Sequence, residues 1–433
     1  MFDGLLGIDV VDGPAPIVVF AVAALLFVAV LLRRPSRGWL LRLAIAVPAG
    51  LLAAVVTWLV CIRWLNLFGE SLGYGNYAWL GAAFVGVAIA VASIRRRPRW
   101  RIPVALAAIP VFLLAAAVGI NANYGLDRTV ASVLAIAVPR PLKLAPPANA
   151  SSSPEYDSSL WKHWKPPADM PAHGTLGTAS IPGTVSGFHA RDAGLYLPPA
   201  ALVAHPPVLP LIVMMMGQPG NPDPEPIAEV LDAYAATHRG LAPVVVVADQ
   251  LGSPYDDTLC LDTARFGNAE TYITKDVTAW AEKKLPITHD HRFWTAAGYS
   301  NGGLCALSFA IDHPELFNSI LDISGEEFPG AEHPDRTLKE AFGGNQQAYD
   351  AAKPFIKLRH FTHAGMTAIF TACRDDPVFH HVAIQALAAS RGAGIDSAFV
   401  DVAVGGHGRG ALMGGLTGGV KLLYPLLGLE QPG

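Results

Sequence analysis

A chain of 433 residues that is 52% hydrophobic and only 15% charged has too little charge for an ordinary soluble domain, where roughly a quarter of residues are charged. A mean hydropathy of +0.36 and only 4 Cys exclude a disordered chain, a collagen-like repeat and a disulfide scaffold. Residues 1–140 hold 12 Arg, no Lys and 5 acids, a net +7, and the remainder nets −11. The acidic part offers no basic face for nucleic acid.

Four apolar runs open the chain, at 16–32, 39–60, 77–94 and 102–120. Each is about 17–22 residues, enough for a helix to cross ~30 Å of hydrocarbon. Arg33, Arg34, Arg37 and Arg42 lie between the first two runs, and Arg95, Arg96, Arg97, Arg99 and Arg101 between the last two. Arg-rich short loops stay in the cytoplasm, so the N-terminus and everything beyond residue 120 are expected to face outward. The first run lacks the basic leader and the cleavage site of a signal peptide. No span carries an Asp, Glu, Lys or His that would mark an ion or proton path. The apolar run 130–138 is too short to span and reads as an interfacial helix.

The expected organisation is a four-helix membrane region over 1–138, a linker over 139–173 and a second domain over 174–433. The linker is rich in Pro, Ser, Ala and Asn, a spacer composition with an r.m.s. reach of roughly 30 Å. Within it, Trp161-Lys162-His163-Trp164-Lys165 docks on the domain or sits at the bilayer interface.

From Gly174 onward short apolar runs alternate with helical stretches. Strands are expected at 179–182, 194–197, 208–216, 242–248, 293–297, 319–323, 367–371 and 397–402. Helices are expected at 226–237, 270–284, 302–313, 380–389 and 414–426. Runs such as Val244-Val245-Val246-Val247 suit a parallel sheet covered on both faces. The alternation implies an α/β fold with right-handed crossovers, and the two opening strands suggest an antiparallel edge.

Gly298, Ser300 and Gly302 form G-x-S-x-G between an apolar strand and a helix. The pattern alone is weak; its strand–turn–helix setting is what a nucleophile elbow requires. A serine needs a base, and seven histidines follow Ser300. His407, in Gly405-Gly406-His407-Gly408 after the last strand, is the candidate, because a loop of small residues lets an imidazole reach the serine. The orienting acid should follow the preceding strand, where Asp375 and Asp376 both stand. Asp376 is the choice, and Asp375 the alternative. Two N–H groups must face the developing oxyanion; Asn301 follows the serine, and Gln218 in the loop 217–220 precedes a proline that has no N–H.

Together, Gly217–Gly220, Glu270-Thr271-Tyr272, Gly298–Gly303, Asp376 and His407 resemble the putative-esterase branch of the α/β-hydrolases, which includes S-formylglutathione hydrolases and mycolyltransferases. The resemblance covers about 174–427. It implies a Ser–acid–His triad that cleaves or transfers acyl groups without a cofactor. Many relatives have His-Gly where this chain has Met216-Gly217, and Gly where it has Cys373.

An outward domain permits a disulfide. Cys260 precedes the 270–284 helix and Cys305 lies one turn past Ser300, so they are placed to meet beneath the site; spacing leaves the connectivity open. A metal is not expected, since Asp290 between His289 and His291 lacks further ligands at suitable spacing. The function expected is a membrane-anchored serine esterase or acyltransferase acting on an acyl ester or lipid-linked substrate at the outer face of the cell membrane. The alternative is a catalytically inactive hydrolase-like domain in a membrane assembly or binding protein.

Overall fold

In a computed structural model, residues 2–32, 34–65, 73–94, 100–134, 136, 138–142, 144, 156–360, 362 and 364–431 are described. Arg33, Arg95, Arg96, Arg97 and Arg99, and the Ser-Pro core of the spacer, lie outside them. The chain divides into two compact units, Met1–Ala137 and Val138–Gly433.

The first unit holds four long apolar helices: α1 (Pro14–Leu31), α2 (Arg37–Trp58), α3 (Tyr74–Ser93) and α4 (Arg101–Tyr124). Each is long and apolar enough to cross a membrane. A soluble bundle would bury its large apolar side chains; here Ile17, Leu25, Leu52 and Leu106 are exposed. The interior is narrow, built on Val30, Trp39, Ala46, Ile89, Ala108 and Phe112. Close approach depends on small residues, since a Cβ on Gly50 would stand 2.6 Å from the Val85 backbone. Pro48 and Pro110 lie inside α2 and α4 without ending them. Helix α2 runs on as a wide turn over Leu59–Trp64. The interfacial helix expected over 130–138 is a single turn, Val130–Val133, begun by a Thr129–Ser132 capping box.

The second unit is built on an eight-stranded sheet. Its strands are β1 (Thr175–Ala179), β2 (Ala193–Leu197), β3 (Leu211–Met215), β4 (Val244–Ala248), β5 (Trp294–Tyr299), β6 (Ser319–Ile323), β7 (Thr367–Cys373) and β8 (Asp396–Val402). They lie in the order β1-β2-β4-β3-β5-β6-β7-β8. Strand β2 runs antiparallel to both β1 and β4, and every other pairing is parallel. This is the α/β-hydrolase fold, a mostly parallel sheet with an antiparallel edge. Helices α5 (Glu225–Thr237), α6 (Asn301–Asp312), α7 (Pro377–Gly392) and α8 (Arg409–Leu426) include the crossovers and the closing helix. In β3 and β5 every residue is buried, as a sheet covered on both faces demands.

The first strand occupies 175–179 rather than 179–182. Pro182 has no N–H for a ladder, and the strand that forms, Thr-Leu-Gly-Thr-Ala, shows no apolar alternation. On its far side it pairs with part of the expected spacer: the Thr178 N–H donates to Arg140 C=O at 2.8 Å and the Leu142 N–H to Thr178 C=O at 3.2 Å. Further along, the Tyr156 hydroxyl donates to Leu427 C=O, and the Trp164 indole to Arg239 C=O at 3.0 Å. Trp164 therefore docks on the domain. Three short helices within 334–357 had no apolar period to announce them.

Helix α8 sits unusually low on the sheet. A Cβ on Gly414 would meet Val402 at 2.5 Å, one on Gly418 Val400 at 2.5 Å, and one on Gly419 Leu321 at 2.3 Å. A side chain at these positions would have to displace Val402, Val400 or Leu321.

Candidate active site

Strands β3, β5, β7 and β8 end at one edge of the sheet, and their following loops carry Gly217–Gly220, Ser300, Asp375–Asp376 and His407. Loops at the carboxyl ends of parallel strands are where an α/β sheet presents its chemistry. Ser300 follows β5 directly and adopts φ 56°, ψ −121° before α6 begins at Asn301. A positive φ is costly for a serine and is held only by its surroundings. A Cβ on Gly298 would lie 1.9 Å from Gly302 C=O, and one on Gly302 2.1 Å from Met215 C=O. No other residue fits at either position in this tight turn.

The turn lifts Ser300 Oγ to 2.9 Å from His407 Nε2. On the other side of the ring, His407 Nδ1 faces Asp376 Oδ2 at 3.3 Å, outside hydrogen-bond alignment. Both atoms are buried and have no other partner among the described residues. Asp376 also caps α7 through the Phe379 N–H at 3.4 Å. Asp375, the alternative acid, is turned elsewhere. It accepts from the Gly405 N–H at 3.1 Å and the Gly406 N–H at 3.0 Å, pinning the loop that carries His407.

The imidazole lies between two aromatic rings. Phe379 stacks on it at 3.7 Å between centroids with 17° between planes, and Tyr299 at 5.2 Å with 24°. These rings hold the His407 ring plane. Burial, reinforced by Asp375, Asp376 and Asp401, pushes the nearby Cys373 thiol up to about 11, so it stays a thiol at neutral pH.

Asn301 lies at the N-terminus of α6, where the first backbone N–H groups have no intrahelical acceptor. Its side chain is clamped: Oδ1 accepts from Gln250 Nε2 at 3.2 Å, and Nδ2 donates to Asp257 Oδ1 at 3.1 Å. Gln250 Nε2 also donates to Met216 C=O at 2.6 Å, joining the loop after β3 to the serine turn. Gln218, in that loop, ties its side-chain amide to Tyr255 C=O at 3.0 Å. Beneath, buried Asp249 pairs with Arg191 at 2.6 Å, and Arg191 also reaches Gly220 C=O at 2.9 Å. Cys260 and Cys305 are joined in a disulfide that ties the 250–260 loop to α6. The His291 ring lies tilted against Trp294, with 4.2 Å between centroids, while Asp290 pairs with Arg292.

Sequence reasoning missed Phe379, Gln250, Asp257 and the Arg191–Asp249 pair, none of which belongs to a local motif. It also missed Asp322, on β6 opposite Gly298 and buried against Gly303. Burial pushes its carboxyl up to about 7, opposed by one backbone N–H from Gly325. A carboxyl raised in the folded state stabilises most when both states are protonated, below about pH 4. That contribution is lost as pH rises toward 7. Asp322→Asn is expected to flatten the fall in stability between pH 4 and 7. Chemical denaturation of the two proteins across that range measures it, and parallel curves would refute the assignment.

Comparison with known proteins adds partial matches. The chain is 34% identical over 252 residues to an uncharacterized protein of Corynebacterium glutamicum; the match spans 54% of this chain and 58% of that one. Among solved structures it is similar to a ferulic acid esterase, at 16% identity over 59% of this chain and 99% of the other, with a TM-score of 0.49. It is likewise similar to an S-formylglutathione hydrolase from Agrobacterium tumefaciens, at 16% identity over 59% and 97%, with a TM-score of 0.48. Residues 189–355, which include Ser300 and the loop of Gln218 but not Asp376 or His407, match the family described as putative esterase.

Proposed function

We propose that this chain is a membrane-anchored serine esterase or acyltransferase, with Ser300 as nucleophile, His407 as base and Asp376 as the orienting acid. The observation that carries the reading is the 2.9 Å approach of His407 Nε2 to Ser300 Oγ at a positive-φ turn. In this reading Nε2 takes the serine proton as Oγ attacks the ester carbonyl. Asp376 stabilises the imidazolium at Nδ1 without itself becoming protonated. Backbone N–H groups of Asn301 and Gln218 receive the oxyanion, which collapses to an acyl-serine as the alcohol leaves with the proton. Water or a hydroxyl acceptor, deprotonated by the same imidazole, then resolves the acyl-enzyme.

A p-nitrophenyl acyl ester in excess over the purified full chain tests this. A burst of p-nitrophenol equal to the enzyme present is the expected result, and its absence together with absent turnover would favour an inactive hydrolase-like domain. Partition of the acyl group between water and an added alcohol separates hydrolysis from transfer.

The substrate we propose is an acyl ester or lipid-linked donor at the outer face of the membrane. Four apolar spans and the Arg-rich connections support that placement. The chain from Val138 to Gly433 should turn over a soluble ester like the full chain. On ester embedded in vesicles it should be slower by about a hundredfold, because the effective concentration set by anchoring is lost. Equal rates on embedded ester would sink the substrate assignment while leaving the triad untouched.

A further inference from the structure

Arg101 opens α4 at the end of the first unit that also holds the end of α1 and the start of α2. Its side chain is only 9% exposed. One guanidinium nitrogen, Nη2, donates to Leu32 C=O at 2.8 Å; the other, Nη1, is buried with no hydrogen-bond partner among the described residues. A buried charge left half-satisfied is costly unless an anion completes it.

Among the described residues no acid of the unit reaches that nitrogen. The unit's acids are Asp3, Asp9, Asp12, Glu70 and Asp127. Asp9 and Asp12 pair with Arg128 before α1 begins, so the 18 residues of α1, about 27 Å, separate them from Leu32. Asp127 adjoins Arg128. Two further sets of donors stand at the Arg101 end: the Arg101 and Ile102 N–H groups that open α4, without acceptors among the described residues, and exposed Arg42, whose Nη1 reaches Ala92 C=O at 3.5 Å. The surroundings are apolar and open, with Leu32 at 72%, Leu41 at 62% and Trp100 at 51% exposure. The Trp100 ring lies 4.8 Å from the Arg101 guanidinium, an interfacial aromatic beside a cation.

We propose that this end of the helical unit is a binding site for the phosphate of an anionic phospholipid, with Arg101 as its principal ligand and Arg42 assisting. The acyl chains would lie against the exposed leucines, which a free phosphate would leave uncovered. The site depends on the membrane-spanning reading and is independent of Ser300.

Full-length protein in neutral detergent, offered phosphatidylglycerol or phosphatidylcholine separately, tests the site by native mass spectrometry. Phosphatidylglycerol should be retained one per chain, and phosphatidylcholine, whose choline cancels the phosphate charge, should be lost. Arg101→Gln should weaken phosphatidylglycerol binding about tenfold, as loss of a charge-assisted bond does. Arg101→Lys keeps the charge but not the two-pronged geometry and should fall between them. Equal retention of the two lipids, or unchanged binding by Arg101→Gln, would overturn the proposal. Displacement by inorganic phosphate at the lipid's own concentration would assign the site to the free ion instead. Should Arg101→Gln elute as aggregate, the lipid contrast and Arg101→Lys decide, and undiminished binding by the lysine variant would count against it.

Discussion

Ser300→Ala should lower ester turnover by about 10⁵–10⁶-fold and abolish labelling by a fluorophosphonate. That is the cost expected when a serine nucleophile is removed from a site whose other parts remain. Folding should be spared, because alanine fills the same Cβ position and no described bond to Oγ other than that of His407 is lost. Using a membrane-impermeant fluorophosphonate on intact cells makes the experiment do double service. Wild-type labelling from outside supports the outward placement, and labelling confined to broken cells reverses it. Labelling retained by the alanine variant would remove Ser300 from the mechanism.

Exchange of the neighbouring carboxylates gives the second large effect. Asp376→Asn should reduce kcat by about 10⁴-fold, because an amide facing Nδ1 favours the wrong tautomer and leaves the imidazolium without its counter-charge. Asp375→Asn should cost far less, about tenfold. Its Oδ1 accepts from both the Gly405 and Gly406 N–H groups, and an asparagine oxygen in that place can keep both bonds. Comparable losses in kcat from both variants would mean that the two residues cannot be separated into orienting acid and loop anchor.

The spans and the serine turn were legible because their information is local. Twenty apolar residues in a row, or Gly298, Ser300 and Gly302 between a strand and a helix, need no knowledge of distant segments. Sequence favoured Asp376 over Asp375 only by its place before a helix, because both stand in one loop where no periodicity fixes a direction; the loop's geometry turns Asp376 to the ring and Asp375 to the Gly405 and Gly406 N–H groups. Phe379 over His407 and Gln250 against Asn301 join residues 28 and 51 positions apart, across different strands of the sheet. Strand β1 was misplaced because an edge strand buried on one face can be polar. It completes its pairing with Arg140 and Leu142, residues that composition assigns to a spacer.

The low seat of α8 sets a dimension for the whole centre. His407 precedes that helix by two residues, so the clearance between α8 and the sheet gauges how far the imidazole stands from the serine. A methyl at Gly419 must displace Leu321 or lift the helix, since the gap it would enter is 2.3 Å. Misplacing a reacting group by about 1 Å can cost on the order of a hundredfold in rate. Reactivity in this protein would then be adjustable from a helix face turned to the sheet rather than to the serine, with the thickness of the glycine seam acting as the setting.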